Sequence, residues 1–376
     1  MTALSTAPPR TASRPAGAAL LRYVGPNWYA AVMGTAITGN AGAALPGCPA
    51  WARDVCTGVW GLAAVLLGAV LAARAGHWAR HGDQARRHLL DPAVAPFYGC
   101  LPMALLAVGS GALALGPRVV GERAAVAAAV VLWAAGAASG LVVAAAVPYL
   151  MMARHPIGDA DASPVWLLPV VAPMVAASTG PALVPHLAAG NAQGRAALLL
   201  GCLAMFGVSL LATLAILPLV WGRLLRHGPL PVAVTPALFL VLGPLGQSTT
   251  AAGTIADAAP AASLPSPYAA ALDGFAVLYG VPVIGFALLW LALAEAMVLR
   301  AFRAGLRFSM TWWAFTFPVG TCATGATSLA RHTHLHALTW LAVGLYALLV
   351  AGWLAAASGT VRGTLAGRLL APPRAA

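Results

Sequence analysis

Ten long apolar stretches, separated by short breaks that carry arginine, glycine or proline, dominate this sequence. A helix needs about 20 apolar residues to cross the hydrocarbon core of a bilayer, and each stretch is close to that length or longer. Charged residues make up 8% of the chain, whereas soluble proteins average about 25%. The sequence therefore predicts an all-α integral membrane protein.

The apolar stretches define ten predicted transmembrane helices. They lie near residues 28–45, 55–73, 94–115, 124–151, 164–187, 196–221, 232–256, 268–299, 308–330 and 335–357. We expect residues 23–357 to form one transmembrane domain. Residues 1–22 lack the apolar core of a signal peptide and are expected to be a disordered cytoplasmic leader. Residues 358–376 are expected to be a cytoplasmic tail.

The distribution of arginine predicts the orientation in the membrane. All 21 basic residues are arginines and the net charge is +12. Arginine-rich short loops stay in the cytoplasm. With the N-terminus inside, ten spans place 16 arginines on the inner side and 5 on the outer side. We therefore predict a multi-pass protein of the cell (plasma or inner) membrane with both termini cytoplasmic. The positive charge is not clustered on a polar domain, so no nucleic-acid partner is expected.

A repeat of about 70 residues runs through the chain. Pro102, Pro173, Pro244 and Pro318 lie inside the odd-numbered spans and are separated by 71, 71 and 74 residues. Proline inside a helix removes a hydrogen bond and bends the helix. The first span has no proline here, but its AVMGTAITG aligns with FPVGTCATG of the ninth span and makes Gly34 its predicted bend. The repeat predicts five helical hairpins, with five kinked inner helices around a central pore and five smoother outer helices.

Polar side chains follow each predicted kink and are expected to line the pore. The predicted lining residues are Thr35, Thr38, Ser178, Thr179, Gln247, Ser248, Thr249, Thr321 and Thr324, and Asn40, Ser110 and Thr250 lie in the same runs. The alternative is that small polar residues here only allow helices to pack closely. The odd spans contain no Asp, Glu or Arg in their interiors. A pore without fixed charge but with hydroxyl donors and a basic inner side favours weakly bound anions.

Three segments resemble one family of membrane proteins. They are GPNWYAAVMGTAITG (25–39), LGPLGQSTTAAG (242–253) and FSMTWWAFTFPVGTCATG (308–325). They are similar to the tellurite-resistance/dicarboxylate transporter family, which includes tellurite-resistance channels, slow-type anion channels, malate permeases and sulfite efflux pumps. The resemblance covers about residues 22–357. It implies a ten-helix protomer with its own pore, a homotrimer in the lipid bilayer, and passage of small anions.

The resemblance also implies a gate. Family members close the pore with a phenylalanine of the ninth helix, within the segment that reads WWAFTFP here. We assign this role to Phe317, or to Phe315 if the register is shifted by two residues. An aromatic ring in a narrow uncharged pore excludes water and acts as a hydrophobic constriction. The alternative is that Phe317 packs against a neighbouring helix as ordinary core.

The predicted function is therefore passage of small anions such as chloride, nitrate, sulfite, tellurite or a C4-dicarboxylate. A proton-coupled C4-dicarboxylate (malate) carrier on the same fold is the alternative, and Asp273, Glu295 and His186 are its candidate proton carriers. An enzyme is not expected, because the spans hold no nucleophile with a base and no metal dyad. No cofactor is predicted.

Two local patterns complete the sequence-based expectations. His332 and His336 are one helical turn apart, but no Cys, Asp or Glu accompanies them in that run, so no metal site is predicted. Cys48 and Cys56 fall in the first predicted outer loop, where a disulfide would be stable, and the sequence leaves open whether they pair.

The predicted orientation is tested with reporter fusions. Green fluorescent protein fused to the C-terminus should fluoresce, and alkaline phosphatase fused at the same point should be inactive, because phosphatase folds only outside the reducing cytoplasm. Phosphatase inserted after Arg195, in a predicted outer loop, should be active and serves as the control. Active phosphatase at the C-terminus would contradict the assigned orientation.

Overall fold

The chain is all-helical in the computed structural model, which describes residues 22–188 and 190–369. No β-strand occurs in these residues. The predicted all-α class is confirmed. Apart from Arg22, the predicted leader at residues 1–22 lies outside the described residues, as does the end of the predicted tail from residue 370.

Twelve α-helices and seven 3₁₀ segments make up the described chain. The α-helices are α1 (Tyr29–Ala44), α2 (Ala50–Arg80), α3 (Gly82–Leu90), α4 (Cys100–Ala114), α5 (Pro117–Val120), α6 (Glu122–Ala153), α7 (Leu167–Thr179), α8 (Ala192–His227), α9 (Leu242–Ala258), α10 (Ser266–Arg303), α11 (Phe317–Thr333) and α12 (His336–Leu365). The 3₁₀ segments are Pro26–Trp28, Ala95–Gly99, Asp159–Asp161, Pro164–Trp166, Gly180–His186, Val232–Val241 and Met310–Phe315.

Eight helical segments of the described chain are long and apolar enough to cross a membrane. The chain is therefore a multi-pass membrane protein. The eight do not include α1 and α11. Both helices are rich in Gly and Thr, which lowers their hydropathy, and α11 has only 17 residues. Most of their residues are buried in the protein rather than available to lipid. The assignment of ten spans in five hairpins thus remains a prediction.

Five mainly buried helices contact one another in a closed ring. Going round the ring, α1 contacts α4, α4 contacts α7, α7 contacts α9, α9 contacts α11, and α11 contacts α1. These helices are more buried than the rest. In the most apolar 18-residue stretches that contain α4, α7 and α9, 67%, 89% and 78% of the residues are buried. The corresponding fraction is 22–28% in α2, α6, α8, α10 and α12. We call α1, α4, α7, α9 and α11 the ring helices.

Each ring helix packs against the long helix that follows it in the chain. The pairs are α1 with α2, α4 with α6, α7 with α8, α9 with α10, and α11 with α12. The long helices contain 30 to 38 residues, or about 45–57 Å at 1.5 Å per residue. They expose leucine and valine along their length. Exposed apolar side chains of this kind are suited to contact with lipid tails.

A 3₁₀ segment precedes each ring helix, directly in four cases and with Thr316 between the segment and the helix in the case of α11. Pro102 and Pro244 are the third residues of α4 and α9, and Pro318 is the second residue of α11. The first amides of an α-helix have no acceptor within the helix, so proline fits there at little cost. The predicted kink in these helices therefore corresponds to the change from 3₁₀ to α-helical backbone next to the proline.

Two predicted bends lie elsewhere in their helices. Pro173 is the seventh residue of α7, and Pro169 is the third residue, the position that proline takes in α4 and α9. Gly34 lies within α1 without a break, and a side chain there would collide with Trp313 and Thr316. Its small size lets α1 approach the segment before α11.

Proline inside a helix does not distinguish the ring helices from the long ones. Pro148, Pro218 and Pro282 lie inside α6, α8 and α10, which were expected to be smoother. In lipid, neighbouring helices and local adjustments satisfy the carbonyl that proline leaves free, so long helices tolerate it. The 3₁₀ lead-in is the feature that separates the two sets.

The ring depends on close contact at Gly246 of α9. A Cβ atom at this position would lie 2.7 Å from the Cα of Cys322 in α11, which is closer than Cβ atoms approach backbone. We expect Gly246→Ala to lower the free energy of unfolding by about 1–3 kcal/mol through overpacking, measured by thermal unfolding in detergent. Gly243→Ala is the matched control, because nothing lies within 4 Å of a Cβ there. Equal melting temperatures would contradict this contact.

Candidate functional site

The ring helices surround a path that opens widely at their 3₁₀ ends. A vestibule of about 1880 Å³ lies there. Every 3₁₀ segment that leads into a ring helix contributes to its wall, through Asn27, Phe97, Val165, Ala237 and Met310. Because all five repeats supply a residue, the vestibule lies on the axis of the ring.

Two smaller cavities continue the path inward. The first, of about 350 Å³, shares Phe97, Val165 and Met310 with the vestibule. The second, of about 260 Å³, shares Met33 and Leu168 with the first. Shared walls place the three cavities in sequence along the axis, and their volume falls from the vestibule inward.

Phe317 lies at the innermost of these cavities. It is the first residue of α11, is 3% exposed, and lines the cavity with Met33, Met103, Val171 and Leu240. Each of these residues belongs to a different repeat, and all have apolar side chains. The space enclosed by the ring helices therefore has a narrow hydrophobic section, and the aromatic side chain of Phe317 lies in its wall.

Phe315 lies in a different environment. Its ring packs edge to face against Phe239, with centroids 4.9 Å apart, and against Trp312, with centroids 5.9 Å apart. It also lies beside Gly352 of α12. Phe315 is not among the residues that line the three axial cavities. The two sequence candidates for the gate are thus separated: Phe317 borders the axis and Phe315 packs towards α12.

A set of polar side chains lies farther along the ring helices, towards the ends opposite the 3₁₀ segments. Each ring helix has at least one polar residue that is partly exposed while both of its chain neighbours are buried, and α9 has two. These residues, which we call the polar collar, are Asn40, Ser110, Thr179, Thr250, Thr254 and Thr324. Partial exposure in an otherwise buried stretch indicates that water reaches the side chain.

Hydrogen bonds connect neighbouring ring helices around the collar. Asn40 donates to the Ala107 carbonyl at 2.8 Å, which joins α1 to α4. The hydroxyls of Thr250 and Thr324 are 2.8 Å apart and join α9 to α11. Since each bond crosses a helix contact, the collar is held in place by the ring itself.

A second group of bonds joins α7 to α9. The Gln247 side-chain amide donates to the Ser178 hydroxyl, and Thr254 donates to the Ser178 carbonyl at 3.0 Å. The Gln247 side chain is 4% exposed, and its oxygen has no partner within the described chain. This buried polar atom lies one turn from Thr250 of the collar.

Most of the predicted pore-lining polar residues lie in helix contacts. Thr179 and Thr324 are partly exposed, whereas the other seven predicted residues are buried. Thr35 accepts a hydrogen bond from Trp353 of α12 at 3.1 Å, so it faces an outer helix. Thr321 lies 3.3 Å from the Gly243 carbonyl, between α9 and α11. This placement agrees with the alternative that small polar residues allow close packing.

The hydroxyls of the remaining buried residues bond to their own helices. Thr38 donates to the Gly34 carbonyl at 2.8 Å, and Ser248 and Thr249 each donate to the Leu245 carbonyl at 3.0 Å. Bonding to a carbonyl one turn back satisfies a hydroxyl without a ligand. Sequence reasoning noted Asn40, Ser110 and Thr250 but did not select them, because burial cannot be read from residue type.

Buried arginines brace the vestibule. Arg74 is 4% exposed and donates to the Val24 carbonyl at 2.8 Å and to the Tyr98 hydroxyl at 3.2 Å. Arg223 donates to the Ala160 carbonyl at 3.1 Å. No carboxylate pairs with either guanidinium within the described residues. Both arginines add positive charge near the vestibule, which attracts anions, and at Arg223 the carboxylates of Asp159 and Asp161, on either side of Ala160, offset part of that charge.

The candidate proton carriers do not line the three axial cavities. Asp273 lies at the start of α10, where its carboxylate is 3.7 Å from the His332 Nε2. Glu295 is exposed on α10, and His186 is exposed at the end of its 3₁₀ segment. The described structure contains no cluster of three His, Cys, Asp or Glu residues suited to a metal ion.

Cys48 and Cys56 are both free thiols, so the disulfide that the sequence left open is not formed. Cys56 is buried in α2, with its sulfur 3.9 Å from the Tyr346 hydroxyl of α12. Packing against the outer helix thus directs this thiol inward.

Comparison with known proteins agrees with this geometry. The model of the SLAC1 family, described as "Voltage-dependent anion channel", matches residues 23–361. An uncharacterized transporter from Methanocaldococcus jannaschii is 25% identical over 329 residues, which cover 87% of this chain and 90% of that protein. A sulfite efflux pump from Trichophyton rubrum is 28% identical over 313 residues, 81% of each chain, and one from Arthroderma benhamiae is equally similar. The family resemblance expected from the sequence is confirmed.

The polar collar is tested by cysteine labelling in a Cys48→Ser background. A membrane-impermeant thiol reagent should modify Thr250→Cys, because the side chain at this position is partly exposed. Thr249→Cys is the matched control and should stay unmodified, since Thr249 is 1% exposed. An unmodified Thr250→Cys variant, measured by mass spectrometry, would show that the collar is not water-accessible, and equal modification of both variants would contradict the difference in exposure.

Proposed function

The chain belongs to the SLAC1 family of voltage-dependent anion channels, and from this membership we propose that it passes small anions along the axis of the ring helices. The observation that carries the proposal is the closed ring itself, in which every repeat supplies residues to the same stacked cavities. Cavities stacked along the axis of a helix ring are not expected of a helical core whose only role is structural. Passage involves no covalent chemistry.

We propose that the ten helices of the five pairs all cross the bilayer. A 3₁₀ segment precedes each ring helix and adds length to an α-helix of 13 to 17 residues. The low hydropathy of α1 and α11 is compatible with a span because the long helices shield them from lipid. A homotrimer and cytoplasmic termini in the plasma or inner membrane complete the proposed arrangement, as the family resemblance and the arginine distribution imply.

Charge and hydrogen-bond donors favour anions over cations. The axial cavities hold one carboxylate, Asp161 at the vestibule, where it already accepts a hydrogen bond from the Gly158 amide at 2.8 Å. The buried Arg74 and Arg223 lie behind the vestibule wall. An anion that leaves the vestibule would meet the apolar section and then the hydroxyl and amide groups of the polar collar. Weak sites of this kind allow an ion to leave again.

We propose that Phe317 is the gate. Its ring borders the narrow apolar section, and water is expelled from hydrophobic constrictions of this kind. Thr316, just before it, is fully buried and separates the 3₁₀ segment Met310–Phe315 from α11. At this junction the aromatic side chain of Phe317 could rotate without breaking α11.

Sulfite is the first cargo to test, because three relatives are sulfite efflux pumps. We expect sulfite, nitrate and chloride to enter liposomes carrying the protein faster than malate, since malate must shed water from two carboxylates to pass the apolar section. Flux should not require a proton gradient. Malate transport that stops when an uncoupler collapses the gradient would favour the carrier alternative.

The gate is tested by comparing two alanine variants. Phe317→Ala should raise anion conductance by about tenfold or more, which corresponds to a barrier lowered by about 1.4 kcal/mol. Phe315→Ala is the matched control and should leave the closed state unchanged, because Phe315 packs against Phe239 and α12. Planar-bilayer recordings supply the measurement. Wild-type current from a folded Phe317→Ala protein would exclude this gate.

A further inference from the structure

A deep apolar groove lies between α8 and α10 on the outside of the molecule. Its volume is about 600 Å³. Trp221, Leu224 and Leu225 of α8 form one wall, and Leu293 and Met297 of α10 form the other. The groove does not reach the axis, because the 3₁₀ segment Val232–Val241 lies beneath it and contacts α10.

The inner part of the groove is aromatic and has no free polar group. Trp290 is 2% exposed and donates its indole N–H to the Leu238 carbonyl at 2.8 Å. The Trp221 ring lies against it, with centroids 5.5 Å apart. With the indole donor already used, Trp290 offers the groove only carbon surface. Such a surface fits a hydrocarbon chain.

The other end of the groove is basic. It continues into a second cavity of about 480 Å³, which shares Leu224, Leu238 and Met297 with it and is lined by Arg300. Arg300 is exposed, and no hydrogen bond or ion pair engages its side chain in the part of the chain that the structure describes. Its guanidinium is therefore available to a ligand.

The length of the groove matches one leaflet of a bilayer. Trp290 and Arg300 are ten residues apart on one helix, which is about 15 Å at 1.5 Å per residue. Half of the hydrocarbon core of a bilayer is also about 15 Å. The groove is thus about as long as one leaflet is thick, with Trp290 towards one end and Arg300 at the other.

We propose that the groove between α8 and α10 binds one anionic phospholipid, with an acyl chain against Trp221 and Trp290 and the phosphate at Arg300. The apolar wall, the unpaired cation and the distance between them all match this ligand. Charge complementarity selects an anionic headgroup over a zwitterionic one. The proposal requires only that the chain span a membrane and does not depend on the anion pathway.

The bound lipid would contact the wall of the axial path from behind. Leu238 lines the groove, and its near neighbours Ala237 and Leu240 line the axial cavities. Phe239, between them, packs against Phe315. One 3₁₀ segment thus separates the lipid from the axis. Occupancy of the groove should therefore influence the width of the apolar section.

Native mass spectrometry of the full chain tests the site, with phosphatidylglycerol and phosphatidylcholine as the added lipids. The wild type should retain one phosphatidylglycerol per protomer. Arg300→Gln should weaken the preference for phosphatidylglycerol about fivefold, the contribution of one arginine at an anionic lipid surface. Leu293→Trp should reduce binding of both lipids, because it fills the groove at its rim, where Leu293 is 43% exposed.

Two substitutions on α12 are the matched controls. Arg362→Gln lies in the last turn of α12, and Leu354→Trp replaces a leucine that is 56% exposed. Both should bind lipid like the wild type. The proposal fails if Arg300→Gln keeps the full preference, or if Leu354→Trp loses as much lipid as Leu293→Trp. It also fails if Leu293→Trp changes only the oligomeric mass, since the groove would then be a subunit interface.

Discussion

The whole structure follows from the need to satisfy backbone hydrogen bonds without water. In hydrocarbon an unpaired amide or carbonyl costs several kcal/mol, so each crossing segment must be helical. The ring helices begin with 3₁₀ turns and proline, which are tolerated because these segments are buried against neighbours. The irregular backbone thus lies next to the axis, where protein surrounds it, and the regular long helices are left for lipid.

Close packing of the ring places apolar and polar groups at different depths. Gly246 lets α9 meet α11, and Gly34 lets α1 meet the segment before α11. Large side chains such as Phe317 and Met33 then narrow one section, whereas smaller polar side chains such as Thr250 border the next. The same ring that excludes lipid thereby separates an apolar section from a polar one. A regulator acting from the membrane has to act through the wall of this ring, and Val232–Val241 is the segment that faces both sides.

Residue type and spacing were sufficient for the class of protein and for its family. Apolar runs and scarce charge predicted an all-helical membrane protein, and the segment around Phe317 carried the family resemblance that the comparisons confirm. They were less informative about individual polar residues. Thr35 and Thr250 are chemically identical, yet Thr35 bonds to Trp353 of α12 and Thr250 is partly exposed in the collar. Which way each side chain points depends on how its helix is rotated about its axis, and contacts between residues distant in sequence set that rotation.

The sequence by itself determined the helical class, the periodic repeat and the membrane environment, because these depend on local hydropathy and on spacing along one chain. Only the tertiary structure decided which phenylalanine borders the axis, which prolines begin a ring helix, and which hydroxyls meet water. Pro169 and Pro173 illustrate the limit, since both fit the repeat to within a turn and only the start of α7 distinguishes them. Such choices depend on how five helices close on one another, and that geometry is a property of the assembled ring.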